Sequence, residues 1–357
     1  MNPLQGQNAQ RRSTFAVVIP AYNVAPSIAT VISHLPHWID HIIVVDDCSA
    51  DGSADAARAT GDPRLHIIRH DVNGGVGAAT KTGYGEAIRL GADVVIKIDG
   101  DGQMDPAHLP ALVSPILRNQ ADYTKGNRFR NKTALRDMPT MRRIGNLVLS
   151  FLTKLASGYW DIFDPTNGYT AARREVLLAL PLNRVADRYF FETSMLVRLN
   201  VLNACVMDIT MPSHYSDENS SLRLGQVLVS FPPNLAASVL TRLWNKYFLY
   251  DFTAVSLFIL AGIPLVLTGG ILGVKYWSHS ITSGQPATAG QVMLSVLPLL
   301  IGFQLLLEAF VIDISNVPKR SGFAPSIDLP VEALPSDSSV SLPVDPSAAS
   351  AAARSEQ

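Results

Sequence analysis

From Phe15 to Ile98, short β-branched runs alternate with stretches of helical periodicity, and no other feature restricts the fold as much. Phe15–Ile19, His41–Val45, Leu65–Ile68 and Asp93–Ile98 read as buried strands. Ser27–Leu35, Ala54–Thr60 and the stretch from Asn73-Gly74-Gly75-Val76-Gly77 to Leu90 read as helices. Strands that alternate with helices of about ten residues pair in parallel through right-handed crossovers, because each helix carries the chain back across the sheet. The expectation is an α/β fold with a doubly wound, mostly parallel sheet. Beyond it, Tyr123–Gly126 and Ala204–Ile209 read as strands, Met141–Leu155 and Arg188–Leu199 as helices, and Asp164–Thr170 as a polar loop.

One of these strands delivers chemistry. Asp99-Gly100-Asp101-Gly102-Gln103 follows the apolar run ending at Ile98 and precedes a helix start at Asp105-Pro106. Ligands of open α/β sheets bind beyond the carboxyl ends of the strands. Two carboxylates and an amide at one tight turn suit Mg2+ or Mn2+, hard cations that can clamp a diphosphate. An ordinary surface turn has the same composition, so the surrounding motifs must decide.

Of the 357 residues only 17% are charged and the net charge is −1, which argues against nucleic acid as a partner. Cys48 and Cys205 lie far apart without metal-ligand spacing, and imply no disulfide framework. Met1–Thr14 is polar, without the apolar core of an export signal, and is expected to be disordered. The charge deficit is concentrated in 252–314. Phe252–Val274 is an uncharged run of about 23 residues, and Val292–Ile312 is a second long run holding Glu308. Both are long enough to cross a bilayer, and a short polar linker between them makes a hairpin. Arg242, Trp244, Lys246, Tyr247, Phe248 and Tyr250 precede the first run as a membrane interface would require, and Lys319 and Arg320 follow the second. That bias puts the catalytic domain in the cytoplasm, with Lys275 in the linker against it. Glu308 is expected to reach the headgroup region or to pair with a neighbouring helix. The expected organisation is a globular domain over 15–219, an interfacial amphipathic segment over 220–250, a transmembrane hairpin over 251–314, and a disordered tail over 315–357.

Val18-Ile19-Pro20-Ala21-Tyr22-Asn23, then Val44-Val45-Asp46-Asp47-Cys48-Ser49-Ala50-Asp51-Gly52-Ser53, then Asp99-Gly100-Asp101-Gly102-Gln103 come in the order and spacing of family-2 glycosyltransferases, which the chain resembles over about 15–215. The branch it resembles most is that of dolichol-phosphate-mannose synthase, whose members load a sugar onto a polyprenyl phosphate. Val24 departs from the pattern, which often has an acidic residue there. The resemblance implies a GT-A-like nucleotide-sugar-binding domain with a mostly parallel sheet, followed by interfacial helices and two transmembrane helices. It implies that Pro20, Ala21, Tyr22, Asn23, Asp47 and Asp99 bind the donor, with Asp47 accepting an N–H of the base. It makes Asp99, Asp101 and Gln103 the ligands of Mg2+ or Mn2+. Lys125, Arg128 and Arg130 would take the acceptor phosphate, with Arg142-Arg143 as further candidates. Asp101, Arg128 and Asp164 would carry the catalysis, Asp164 as base or by orienting the acceptor.

Three subsidiary roles rest on position alone. Asn73–Gly77, at a helix start, is a candidate border for the donor diphosphate, and Lys81 is expected in solvent. Glu192 is either an acceptor-side group or a helix carboxylate paired with Arg188 or Arg198. His214-Tyr215 and Asp217–Ser220 form a polar loop that could close over the site.

The expected activity is inverting transfer of a sugar from a nucleotide diphosphate sugar to a polyprenyl phosphate at the lipid bilayer. The same fold acting on a hydroxyl of a lipid-linked or cell-envelope glycan stays open, as does an inactive membrane scaffold. A lipid phosphate, with a second pKa near ~6, needs cations and no general base, whereas a sugar hydroxyl needs a base.

Overall fold

The computed structural model describes residues 12–128, 140–165, 167–211 and 224–323, with the backbone alone over 140–147 and 224–231. Arg130, the side chains of Arg142 and Arg143, the His214–Ser220 loop and most of the expected tail lie outside this description.

The strands are β1 (Phe15–Ala21), β2 (His41–Asp46), β3 (Leu65–Arg69), β4 (Val94–Lys97), β5 (Tyr123–Asn127), β6 (Thr170–Arg173) and β7 (Val206–Thr210). The helices of the same domain are α1 (Ala25–Ser33), α2 (Ser53–Arg58), α3 (Val76–Arg89), α4 (Leu109–Leu117), α5 (Thr140–Ser157), α6 (Arg174–Ala179) and α7 (Phe191–Val201). They surround one sheet of order β3-β2-β1-β4-β6-β5-β7. β1, β2, β3 and β4 are mutually parallel, as is β5 with β7. β6 runs antiparallel to both β4 and β5, a strand the sequence reading lacks.

The central strands are apolar throughout because both faces are covered. Alternate residues of β1 and β2 divide between two cores: Ala16, Val18, Ile43 and Val45 on one face, Phe15, Val17, Ile19, Ile42 and Val44 on the other. Strand order reverses at β1, which lies between β2 and β4. The carboxyl ends of β1 and β4 therefore border the crevice where such sheets bind ligands.

Beyond β7 come α8 (Leu224–Trp244), a π-helical turn over Asn245–Leu249, α9 (Ala254–Ser283) and α10 (Ala289–Ser315). α9 and α10, of 30 and 27 residues, are candidate membrane spans by length and composition. Only 11% and 17% of their most apolar windows are buried, so they are not core helices of a soluble domain. Leu257, Leu267, Ile271, Leu294, Leu300 and Phe303 project outward from them. The two helices meet closely at Gly262 and Gly302: a Cβ on Gly262 would lie 2.9 Å from Leu306 Cγ, and one on Gly302 2.8 Å from the Gly262 carbonyl.

Arg242 and Lys246 depart from the interfacial role expected of them. Arg242 is 1% exposed, its guanidinium donating to both carboxylate oxygens of Asp313 on α10 at 2.7 and 2.8 Å. The same group donates to the carbonyls of Ala156 and Leu155 at the end of α5. Tyr247 Oη adds a 2.6 Å bond to Asp313, and Lys246 Nζ donates to Asn200 of α7 at 3.1 Å. Burial forces these charges to pair, since a lone buried charge is costly. The start of the tail is likewise ordered: Val317 is buried, and the amides of Gly322 and Phe323 donate to the buried Asp122 carboxylate. The hairpin is thus fastened to the globular domain at both ends.

Candidate active site

The first two motifs build the rim by satisfying one another. Asn23 has φ 54°, a left-handed turn that asparagine tolerates. Its amide donates to Ser49 Oγ, the next amide (Val24) to Ser53 Oγ, and that of Ala25 to Asp51, at 2.9 to 3.0 Å. The second motif therefore caps the open start of α1. Asn23 Oδ1 in turn accepts from the Ala50 amide at 3.1 Å. Pro20 and Ala21 are buried at the end of β1, while Tyr22, 54% exposed, stands at the rim.

The Asp47 carboxylate, expected at the base, is engaged within the fold. The residue is 2% exposed, and its carboxylate accepts from the amides of Gly74 and Gly75 at 3.0 and 2.7 Å and lies 2.7 Å from His70 Nδ1. A buried carboxylate takes the nearest donors, here those of the glycine-rich loop. The loop thereby spends its Gly74 and Gly75 amides on Asp47, and beyond it the Ala78 amide bonds the Asp187 carbonyl across the start of α3. Lys81 is not in solvent: it donates to the Val185 carbonyl at 2.9 Å and pairs with Asp187 at 2.5 Å.

The acidic turn sits where the sheet topology requires. Ser27 Oγ of α1 donates to the Gly100 carbonyl at 2.7 Å, fastening the turn to the β1 side of the crevice. Gly102 takes φ 78°, and the Gln103 amide donates to Asp101 Oδ1 at 3.0 Å. Asp101 and Gln103 are exposed, and Asp99 keeps 32% of its side chain accessible. Partial loss of hydration raises the Asp101 pKa; the Gln103 amide opposes this and the Asp99 charge adds to it. Among the described residues no group of three or more His, Cys, Asp or Glu is placed to hold a metal. Two carboxylates and an amide at an accessible turn still fit Mg2+, which keeps several waters and takes its other oxygens from substrate phosphates.

Behind Asp99 lies a lysine that the sequence reading passed over. Lys97 Nζ is 2.6 Å from Asp99 Oδ1 and 3.6 Å from Glu192 Oε1, in a residue 1% exposed. Burial alone would lower its pKa, but the two carboxylates outweigh burial and raise it. Glu192 therefore pairs with Lys97, not with Arg188 or Arg198.

The acceptor-side residues are brought together, though not as expected. Arg128, 39% exposed, forks onto Asp164 with Nε 2.8 Å from Oδ2 and Nη2 3.2 Å from Oδ1. Asp164 is fully buried and also accepts from the Arg128 amide at 3.2 Å. Both oxygens of this carboxylate, expected as a base or as an acceptor-orienting group, are thus engaged by Arg128. Lys125 is not at the surface to meet a phosphate. It is 1% exposed, donates to the Asn167 carbonyl, and burial pushes its pKa down to about 8. Asp208, on β7 beside it, is pushed up to about 6, mainly by burial.

Residues 16–180 match the family described as Glycosyl transferase family 2. Over 232 residues the chain is 32% identical to the UDP-N-acetylglucosamine–dolichyl-phosphate N-acetylglucosaminyltransferase of Methanococcus voltae, covering 60% of this chain and 91% of that protein. It is 31% identical to the polyprenol monophosphomannose synthase of Mycolicibacterium smegmatis, covering 50% of this chain and 69% of that one. Glucosyl-3-phosphoglycerate synthase from Mycobacterium tuberculosis, solved with phosphoglyceric acid, superposes with a TM-score of 0.48 at 22% identity, over 64% of this chain and 80% of that one. With a GT-A-like sheet and the three motifs at the carboxyl ends of its parallel strands β1, β2 and β4, the chain belongs to glycosyltransferase family 2.

Proposed function

We propose that this protein transfers a sugar from a nucleotide diphosphate sugar to a polyprenyl phosphate, with inversion at the anomeric carbon, while anchored in a membrane. The observation that carries this reading is the fastening of the acidic corner's domain to two helices long enough to cross a bilayer, through Arg242, Asp313 and Asp122. Such an anchor keeps the site beside the headgroups, where an insoluble acceptor is concentrated. Named relatives support the acceptor class: they include a dolichyl-phosphate N-acetylglucosaminyltransferase, an undecaprenyl-phosphate mannosyltransferase and a dolichol-phosphate mannosyltransferase.

Tyr22 and Asn23 at the β1 rim, with Asp99, would border the donor. Asp101 and Gln103, with Asp99 behind them, would hold Mg2+ or Mn2+, whose chemistry is to neutralise charge on the departing diphosphate. Arg128, fixed by Asp164, would receive the acceptor phosphate, since a planar fork suits phosphate oxygens. An oxygen of that phosphate attacks the anomeric carbon, the bond from this carbon to the diphosphate breaks, and the electron pair leaves with the nucleoside diphosphate. No proton has to be removed from a dianionic phosphate. The pairing of Asp164 with Arg128 therefore favours a phosphate acceptor over a sugar hydroxyl, which would need that carboxylate as a base. Lys319 and Arg320 after α10 support a cytoplasmic catalytic face; Arg242 and Lys246, buried and partnered, no longer count toward it.

The test uses full-length protein in detergent or nanodiscs, labelled nucleotide sugars, and either a short polyprenyl phosphate or a glycan acceptor, with and without EDTA. Cation-dependent labelling of the lipid phosphate is expected. Labelling of the glycan alone would favour the hydroxyl reading. A protein that neither binds Mn2+ nor consumes any nucleotide sugar would be a scaffold.

A further inference from the structure

Lys97 occupies a position that strand chemistry disfavours. β4 is a central strand with both faces covered, and a lysine in such a strand survives only if its ammonium finds partners. Asp99 lies two residues on, just past the end of β4, and its carboxylate reaches back to the Lys97 ammonium. Asp99 in the adjoining turn and two segments distant in sequence converge on this one ammonium: Asp99 Oδ1 at 2.6 Å, the Gly168 carbonyl at 3.3 Å, and Glu192 of α7 at 3.6 Å. The fit depends on Gly168, where a Cβ would lie 2.5 Å from both Lys97 Nζ and Asp99 Oδ2.

We propose that Lys97 is a positioning residue of the donor site, taking up the charge of Asp99 so that cation binding falls to Asp101 and Gln103, and tying Asp99 to the loop around Gly168 and to α7. This rests on the cation reading above and deepens it. With Oδ1 of Asp99 held by an ammonium, that carboxylate presents one oxygen to the crevice and little net charge. The turn then behaves as a single-carboxylate site for the cation, with Asp99 held still as a contact for the donor. Lys97 also joins the donor side of the crevice to the segment that carries Asp164 and Asn167, so the two halves of the site share one anchor.

The test titrates Mn2+ alone into the full-length protein in detergent, reading free Mn2+ by electron paramagnetic resonance. In Lys97→Met/Glu192→Gln one positive and one negative charge are removed together, which leaves the charge of the cluster unchanged and exposes Asp99. The expected result is Mn2+ binding about tenfold tighter than wild type, together with at least a tenfold loss of sugar transfer. A purely structural lysine would not tighten metal binding when removed. In the wild-type background, Asp99→Asn is expected to change Mn2+ affinity less than about threefold, and Asp101→Asn to weaken it more than about tenfold. Should the double variant fail to fold, this second comparison decides. Unchanged or weaker Mn2+ binding in the double variant, or equal losses in Asp99→Asn and Asp101→Asn, overturns the assignment of Lys97 alone. Wild-type protein that binds no Mn2+ overturns the cation reading along with it.

Discussion

Asp208 gives the most quantitative expectation. Its Oδ2 accepts from the Phe163 amide and from Asn127 Nδ2 at 2.8 and 2.7 Å, while Oδ1 is sealed from solvent with no partner among the described residues. Burial raises its pKa from 3.8 to about 6. Between about pH 4 and pH 6 the native state holds this proton and the unfolded state has released it. Stability therefore falls as pH rises through that window, because the native state binds more protons. The two pKa values, at about 1.4 kcal/mol for each pH unit between them, set the loss at about 3 kcal/mol above pH 6. Asp208→Asn keeps an acceptor oxygen for both donors and removes the charge. Lys125 loses one attracting neighbour, which trims the gain. For a domain of about 200 residues, 3 kcal/mol corresponds to a Tm rise of about 6–12 °C. Thermal unfolding followed by intrinsic fluorescence, wild type against variant from pH 4.5 to 7.5, should show that gap at pH 7.5 closing toward pH 4.5. A gap independent of pH, or a variant less stable than wild type at pH 7.5, would refute the reasoning.

Gly168→Ala is expected to push Lys97 from Asp99 and cut transfer at least about a hundredfold, while overpacking costs only about 1–3 kcal/mol of stability; full activity in a normally folded variant would show that the close approach is dispensable. If Arg128 receives the acceptor phosphate as proposed, Arg128→Ala should raise the acceptor KM at least about tenfold and leave nucleotide affinity, read by isothermal titration, unchanged. The reverse pattern would move Arg128 to the donor side. Asp313→Ala leaves the Arg242 guanidinium buried without its carboxylate, and should destabilise the detergent-solubilised protein by about 3–5 kcal/mol. Arg242→Met/Asp313→Leu should recover most of that loss, and a single variant as stable as wild type would remove the fastening described here.

The parallel half of the sheet was legible because each strand is a β-branched run closed by a turn, and local pattern suffices for that. β6 was not: Thr170-Ala171-Ala172-Arg173 has little strand preference, and it is a strand only because β4 and β5 offer unpaired edges on either side. The acidic turn was legible for the same reason as the strands. What its neighbours do was not, because their partners are remote in sequence. Asp47 and Asp164 looked like open acceptors until Gly74, Gly75 and Arg128 were found to fill them. Lys97 did carry a signal, a lone cation in an otherwise apolar strand, and its meaning lay in Glu192 and Gly168, both more than seventy positions further along the chain. Arg242 and Lys246 mimicked an interfacial cluster in composition, and only the fold reveals Asp313 and Asn200 opposite them.

The clasp of Arg242 and Tyr247 on Asp313, with the returning chain held at Asp122, leaves the enzyme no slack tether on which to swing. Under the proposed anchoring, the crevice would ride at one height and one tilt over the lipid surface, and a long, oily acceptor would have to present its head at that level by its own lateral diffusion. The thickness of the surrounding membrane would then become a parameter of the proposed reaction, setting how far each acceptor phosphate stands from Arg128.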